Sequence, residues 1–288
     1  MWHGFINRQS GRSGSLSKRL SRECAKHPNI EWHQTHSEQE QREQLQALVA
    51  RGEQFFLVAG GDGTLHRALN AMQPTESRPL CLAPIPKGSG NDWCRSLKAP
   101  LNFSGALGLA LSNPTQSIDF FKVTTDHYTA LGLNSVGCGF DTQVLSYMQD
   151  NPQGRFKYWR SLLAMLKERK PVTLCFGDHQ ADRILLLIGK GRFAGSGMCL
   201  LPQAKLNNRT LSITEVAPLN NSELYRELPR LKTGGFISNP NVLHYQQPEL
   251  HVEFDQPTAL QIDGELYPPA KTLRVEVISD ALRVPIYR

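Results

Sequence analysis

A chain of 288 residues, 40% hydrophobic and 20% charged, has the composition of a globular protein of about two domains, which excludes disordered, collagen-like and disulfide-stapled miniature classes. Its 32 Lys and Arg against 26 Asp and Glu leave a net charge of +6, a mild excess that suits an anionic partner such as a phosphate-bearing ligand, nucleic acid or membrane surface. No run reaches the roughly 18 apolar residues of a membrane span, and the opening residues lack the basic lead and apolar core of a secretory signal, so the expectation is a soluble chain that stays where it is made.

Up to residue 121, strand-like and helix-like segments alternate. Residues 4–6 open a strand, Asn7-Arg8-Gln9-Ser10-Gly11 reads as a turn, residues 16–26 as a helix and residues 30–33 as a strand. Residues 38–51 read as a helix with Leu45, Leu48 and Val49 on one face. The continuous apolar run 55–59 predicts a strand buried on both faces. From Thr64 to Met72 the pattern turns helical, with Leu65, Ala68, Leu69 and Met72 on one side, and residues 80–85 repeat the buried strand. This alternation predicts a parallel α/β nucleotide-binding domain over residues 1–121. From residue 122 onward, short strands lie between Pro and Gly turns, at 129–136, 172–176, 184–188, 198–201, 211–216, 249–254, 259–262, 273–278 and 282–286. One amphipathic helix is expected at 155–169. The prediction is a mainly antiparallel β-sandwich over residues 122–288, its last strand free to return to the first domain.

Six cysteines are scattered singly with no Cys-x-x-Cys pair, a pattern of reduced thiols in a cytosolic chain. The nine histidines lack metal-site spacing; His33 and His36 are the nearest pair, with no His-Glu-x-x-His beside them. No transition-metal site is expected.

Two segments carry chemistry. Phe55 to Leu65 is a buried strand, then Gly60-Gly61-Asp62-Gly63-Thr64, then a helix start. Glycines let a ligand approach backbone N–H groups, Thr64 can cap the helix, and the helix N-terminus attracts phosphate. The spacing matches neither Gly-x4-Gly-Lys-Ser/Thr nor Gly-x-Gly-x-x-Gly. A second strand and glycine loop follow, Pro86-Lys87-Gly88-Ser89-Gly90-Asn91-Asp92-Trp93. Two such loops at adjacent strand ends would make one phosphate-binding cleft. Further on, Asp263-Gly264-Glu265 reads as a type I′ hairpin turn or as a carboxylate pair able to deprotonate an alcohol. If the strand ran through it, Asp263 and Glu265 would share a face.

Together these residues resemble the diacylglycerol kinase catalytic-domain family, which includes bacterial lipid kinases and sphingosine kinases. Ser89 stands where the family has Thr. Asn7 to Gly11 resembles the family's opening Asn-Pro-x-Ser-Gly, with Arg8 for Pro. Gly139-Phe140-Asp141, residues 154–158, residues 191–204 and Asp263-Gly264-Glu265 resemble its later blocks. The resemblance implies that Asn7, Gly11, Thr35, Gly60, Gly61, Asp62, Gly63, Thr64, Leu65, His66, Ser89 and Asn91 bind ATP. It places Asp263 and Glu265 at phosphoryl transfer, where the expectation is that one acts as base toward a lipid hydroxyl and the other orients it or a metal-bound water.

Departures accompany the likeness. His66-Arg67 stands where the family commonly has Asn-Glu. Asn207-Asn208-Arg209-Thr210 replaces an Asp-Gly pair that supports a structural Mg²⁺, leaving Asn208 and Thr210 as neutral, weaker ligands for a hard cation. Lys190 stands where the family often has Asn. Basic clusters (Lys18, Arg19, Arg22; Arg155, Lys157, Arg160; Lys167, Arg169, Lys170) suit an anionic bilayer. The expected function is a Mg²⁺- and ATP-dependent kinase of a diacylglycerol-like lipid, cytoplasmic and peripheral at the membrane, with no nucleic-acid partner and a homodimer left open. The alternatives are a NAD kinase, which shares Gly-Gly-Asp-Gly-Thr, and a non-catalytic nucleotide- or lipid-binding relative.

Overall fold

The computed structural model describes residues 1–7, 26–151, 157–176 and 179–287; the expected turn after Asn7 and the expected helix starting at Leu16 fall outside them. The chain divides into two compact units, residues 1–119 with 279–288, and residues 120–278.

In the first unit β1 (Trp2–Asn7) runs parallel to β2 (Ile30–Thr35) on one side and to β3 (Phe55–Gly60) on the other. β3 pairs with β4 (Leu80–Pro86), and near the chain's end Leu282 and Arg283 run parallel to Leu80 and Cys81. Helix α1 (Glu38–Ala50) starts where Ser37 accepts a hydrogen bond from the Glu40 amide (3.1 Å) while the Glu40 carboxylate accepts from the His36 amide (2.7 Å), a reciprocal cap. It packs on α2 (Asp62–Met72), and together they bury Leu45, Leu48, Leu65 and Leu69. After the single turn α3 (Asp92–Ser96), α4 (Phe103–Ser112) lays Ala106, Leu107 and Ala110 on Ile6, Leu57, Ala59, Ala83 and Ile85. With cover of this kind, β3 and β4 can be apolar throughout instead of alternating.

Helix α2 begins two residues before Thr64. Gly61 is its extended N-cap, no side chain caps it, and the Thr64 amide donates to Gly61 O (3.0 Å). Thr64 is therefore inside the first turn, and its side chain fills the space over Gly60, where a Cβ would lie 2.4 Å away. The expected Thr64 cap is corrected accordingly.

The second unit is antiparallel. Its strands are the later part of β5 (Thr115–Thr125), β6 (Thr129–Gly132), β7 (Ser135–Gly139), β8 (Val172–Phe176), β9 (His179–Arg183), β10 (Leu185–Gly189), β11 (Leu211–Val216), β12 (Val242–Gln247), β13 (Glu249–Ile262) and most of β14 (Glu265–Pro285). The order is β12-β11-β10-β7-β13-β14, with the β8–β9 hairpin on β13 and β6 on β5. Alternation along β10 sorts two cores: Leu186 and Ile188 face Val136, Ile213, Val252 and Leu273, whereas Leu185 and Leu187 face the helices. Those are α5 (Phe140–Asp150) and α6 (Lys157–Met165), which contribute Val144, Leu145 and Leu162. A further helix, α7 (Asn221–Glu227), starts at an Asn220–Glu223 capping box.

The expected strand 129–136 breaks at Leu133 and Asn134, whose amides turn to the Asp263 carboxylate. Expected strands 249–254 and 259–262 are one strand, with its register shifted between Glu253 and Thr258 around Pro257, which has no N–H to give the ladder. Residues 198–201 are not a strand; Met198 exchanges hydrogen bonds with Ala194, and the Cys199 amide donates to Leu231 O (2.8 Å).

Candidate active site

In the first unit the two glycine loops leave adjacent strand ends. Gly60 pairs with Pro86, and the Lys87 amide donates to Gly60 O (2.9 Å). The loops touch through backbone: a Cβ on Gly61 would lie 3.1 Å from Gly88 Cα, and one on Gly88 would lie 2.6 Å from Gly61 Cα. Glycine is a steric demand at both positions.

Asp62 ties the loops together. Its Oδ2 accepts from the Asp92 amide (3.1 Å) and its Oδ1 from the Trp93 amide (3.0 Å). These are the first amides of α3, which have no partner within their own helix, so a carboxylate of one loop caps the helix that ends the other. Asn91 sits in the left-handed region at φ 51°. Its Oδ1 accepts from the Gly88 amide (3.0 Å) and its Nδ2 donates to Gly88 O (2.8 Å). Both side chains shape the loops.

Other groups are left for a ligand. The Gly63 amide has no hydrogen-bond partner among the described residues. Ser89 is exposed. Lys87 is half-buried and forms no ion pair among the described residues, and burial holds its ammonium below the ordinary lysine range. Amide donor, hydroxyl and cation at a helix N-terminus make an anion-binding set. Thr35 pairs with Asn7 on the last rung of β1 and β2, and its fully buried hydroxyl has no hydrogen-bond partner among the described residues. Gly11 lies outside the described residues, and only the backbone of Asn7 is described. Leu65 and His66 are 1% and 3% exposed on the inner side of α2.

In the second unit Asp263 and Gly264 are a two-residue turn between β13 and β14, with φ of 52° and 86°. Positive φ at both central residues is the type I′ requirement, and it folds the chain back. The strand does not continue through, so the shared face expected for Asp263 and Glu265 is not formed. The Asp263 carboxylate is buried and accepts three consecutive amides, Leu133 (2.8 Å), Asn134 (2.7 Å) and Ser135 (3.1 Å). Its own amide donates to Ser135 O (2.8 Å), while the Gly264 amide donates to Gln261 Oε1 (2.8 Å). Glu265, the first residue of β14, is half-buried.

The structural Mg²⁺ implied at Asn208 and Thr210 does not fit. Fully buried Lys190 donates through Nζ to Asn208 Oδ1 (2.7 Å) and Thr210 O (2.8 Å). An ammonium already occupies these neutral oxygens, and a divalent cation beside it would meet like charge. Sequence reasoning noted Lys190 but not this contact. It also gave Asp141 no role: that carboxyl is buried, accepts from Tyr158 OH (2.9 Å), and is pushed above the usual carboxylate range by burial. Arg169, counted among the membrane-facing cations, instead donates to Leu166 O (2.5 Å), Leu219 O (2.5 Å) and Asn221 Oδ1 (2.8 Å). Lys18, Arg19, Arg22 and Arg155 lie outside the described residues.

The sequence profile of the diacylglycerol kinase catalytic domain matches residues 2–123, and that of the YegS C-terminal NAD kinase beta sandwich-like domain matches residues 134–286. A protein of Pectobacterium atrosepticum named "Probable lipid kinase YegS-like" is 30% identical over 237 residues, covering 78% of this chain and 76% of its own. One of the same name from Xanthomonas campestris is 29% identical over 248 residues, 82% of this chain and 80% of its own. A diacylglycerol kinase of Mycobacterium tuberculosis is 28% identical over 221 residues, 74% and 71% of the two chains. The crystal structure of a diacylglycerol kinase from Bacillus anthracis covers 100% of this chain and 96% of its own at a TM-score of 0.71 and 19% identity, which is a shared fold.

Proposed function

The chain belongs to the diacylglycerol kinase catalytic-domain family, with YegS-like lipid kinases among its relatives, and on that premise we propose that it transfers the γ-phosphate of MgATP to a hydroxyl of a diacylglycerol-like lipid. The observation that carries the reading is the pair of glycine loops locked side by side by Asp62. Magnesium enters as part of the nucleotide substrate. Phosphoryl transfer asks for positioning and charge stabilisation more than for covalent chemistry, and backbone amides at α2, the Ser89 hydroxyl and the Lys87 ammonium supply both. Of the two carboxylates at the β13–β14 turn, Asp263 is enclosed by three amides and Glu265 is partly open to solvent. We therefore assign Glu265 as the base that takes the hydroxyl proton, and Asp263 as the residue that holds the turn.

A lipid substrate requires the enzyme at a bilayer. On and just past α6, Arg160, Leu163 and Lys167 are exposed at helical spacing, and each cation near an anionic surface contributes on the order of 1 kcal/mol. Among the described residues no helix is long and apolar enough to cross a membrane.

The test is purified protein with γ-labelled ATP and Mg²⁺, offered diacylglycerol in anionic vesicles, a total bacterial lipid extract or NAD⁺. Labelled lipid is expected. Label only on NAD⁺, the second reading favoured by the NAD kinase-like character of the second domain's profile, would overturn it, as would no label at all. Glu265→Gln should lower turnover by roughly 10²–10⁴ with ATP affinity kept; full turnover in that variant would remove Glu265 from the chemistry.

A further inference from the structure

At the end of the first unit's sheet away from the phosphate loops, strand pairing assembles a second group of polar side chains. β1 and β2 run parallel with His3 opposite Glu31 and Phe5 opposite His33. Paired residues, and residues two apart on one strand, share a face, so His3, Glu31 and His33 stand side by side. His3 Nδ1 lies 3.2 Å from His33 Nε2 and 3.5 Å from Glu31 Oε2, and His33 Nε2 lies 3.8 Å from Glu31 Oε1. Nitrogen and oxygen ligands about 2.0–2.2 Å from a tetrahedral zinc are about 3.3–3.6 Å from one another. The His3–His33 and His3–Glu31 separations are close to that edge length, and one ligand atom from each of the three residues lies within 4.8 Å of the others.

We propose that His3 Nδ1, His33 Nε2 and a carboxylate oxygen of Glu31 bind one divalent transition-metal ion of the zinc type, with water completing the tetrahedron. Two imidazoles and one carboxylate are a donor set such ions accept. The remaining nitrogen of His3, Nε2, lies 3.1 Å from Glu53 Oε2. That is ion-pair distance only, since Nε2 has no aligned hydrogen-bond partner among the described residues; the carboxylate places negative charge behind the ring that would hold the ion. The rings are already held in place: His3 is 1% exposed and packs near Phe56 (centroids 6.1 Å apart), while His33 stacks on Phe5 (4.7 Å). The Glu31 side chain is 52% exposed, which gives an ion a way in.

The site escapes a search by spacing because its histidines are 30 residues apart and meet only through the sheet. Four rungs separate the His3–Glu31 pair from the Asn7–Thr35 pair, about 13 Å along the strands. The ion would thus clip β2, the outermost described strand of the first unit, onto β1 without touching the nucleotide.

The test uses the full chain, stripped with a chelator and titrated with Co²⁺ and then Zn²⁺. One equivalent of Co²⁺ should bind with the visible bands of a tetrahedral site and no thiolate charge-transfer band, and Zn²⁺ should displace it. Saturating Zn²⁺ should raise the unfolding temperature by several degrees. His33→Gln and Glu31→Gln, shown folded by circular dichroism, should each weaken Co²⁺ binding at least tenfold while ATP affinity stays at the wild-type value. His36→Gln should bind as wild type. No stoichiometric binding, a thiolate band, or wild-type affinity in both ligand variants would overturn the proposal; the first of these would leave the two histidines as a pair sharing a proton.

Discussion

Asp62 is the residue on which the nucleotide loops depend. Both of its oxygens accept amides of the neighbouring loop, and a hydrogen bond to a charged group contributes about 1.5–3 kcal/mol. Asp62→Ala should therefore lose about 3 kcal/mol of stability and raise KM for ATP at least tenfold, whereas Asp62→Asn, which keeps one acceptor, should recover part of both. Equal loss of activity in the two variants with unchanged unfolding would instead make Asp62 a ligand of the substrate's metal. Asp141 makes a different prediction, in pH. Its folded-state pKa is raised by burial, against hydrogen bonds from Tyr158 and Gln261. A raised carboxyl pKa contributes stability that is complete below the unfolded value, about 3.9, and is lost as pH rises through the folded one. Asp141→Asn cannot ionise and still offers Tyr158 an acceptor. It should be more stable than wild type at pH 7, with the difference closing toward pH 4 in denaturant unfolding; a pH-independent difference would refute the assignment.

At the scale of elements, the connection from β10 to β11 carries its own cation. Lys190 satisfies Asn208 and Thr210 from within, so millimolar Mg²⁺ without nucleotide should leave the unfolding temperature unchanged. Lys190→Met should cost about 1.5–3 kcal/mol for each of the two hydrogen bonds to the ammonium that it removes; a rise of several degrees in wild type on adding Mg²⁺ would contradict this. Lys190 also marks the limit of what a sequence discloses. The glycine loops were legible because strand, turn and helix follow one another within a few residues, each with its own local pattern. The contacts that give the loops and turns their shape were not, since they join residues far apart in the chain. Asp62 reaches Asp92 across 30 residues and Asp263 reaches Leu133 across 130. Alternation predicted an unbroken strand at 129–136 because nothing nearby reveals that Asp263 claims its middle amides. Helix α5 was missed for another reason: in its eleven residues the buried apolar positions are only Val144 and Leu145, too few to display a period.

At the scale of the whole chain, β14 begins in the second unit and ends in the first, so the nucleotide-binding unit is discontinuous in sequence. Its last piece is deeply built in. Leu282 and Val284 are fully buried, Tyr287 is 5% exposed, and the Ile286 amide and carbonyl bond Pro114 O (3.0 Å) and Asn113 Nδ2 (2.5 Å). Burying three such side chains contributes about 1.5–3 kcal/mol each, a sum comparable with the roughly 5–15 kcal/mol that holds a whole domain folded. Residues 1–119 expressed alone should therefore fail to unfold cooperatively and should not bind ATP, despite containing both glycine loops. The cut ends lie together, since Ser279 Oγ donates to Asp119 Oδ1 (2.8 Å), and a few Gly and Ser residues could join 119 to 279. That shortened chain, 1–119 linked to 279–288, should recover a cooperative transition and ATP affinity while showing no lipid phosphorylation. Cooperative unfolding with full ATP affinity in residues 1–119 alone would show that the returning segment is dispensable.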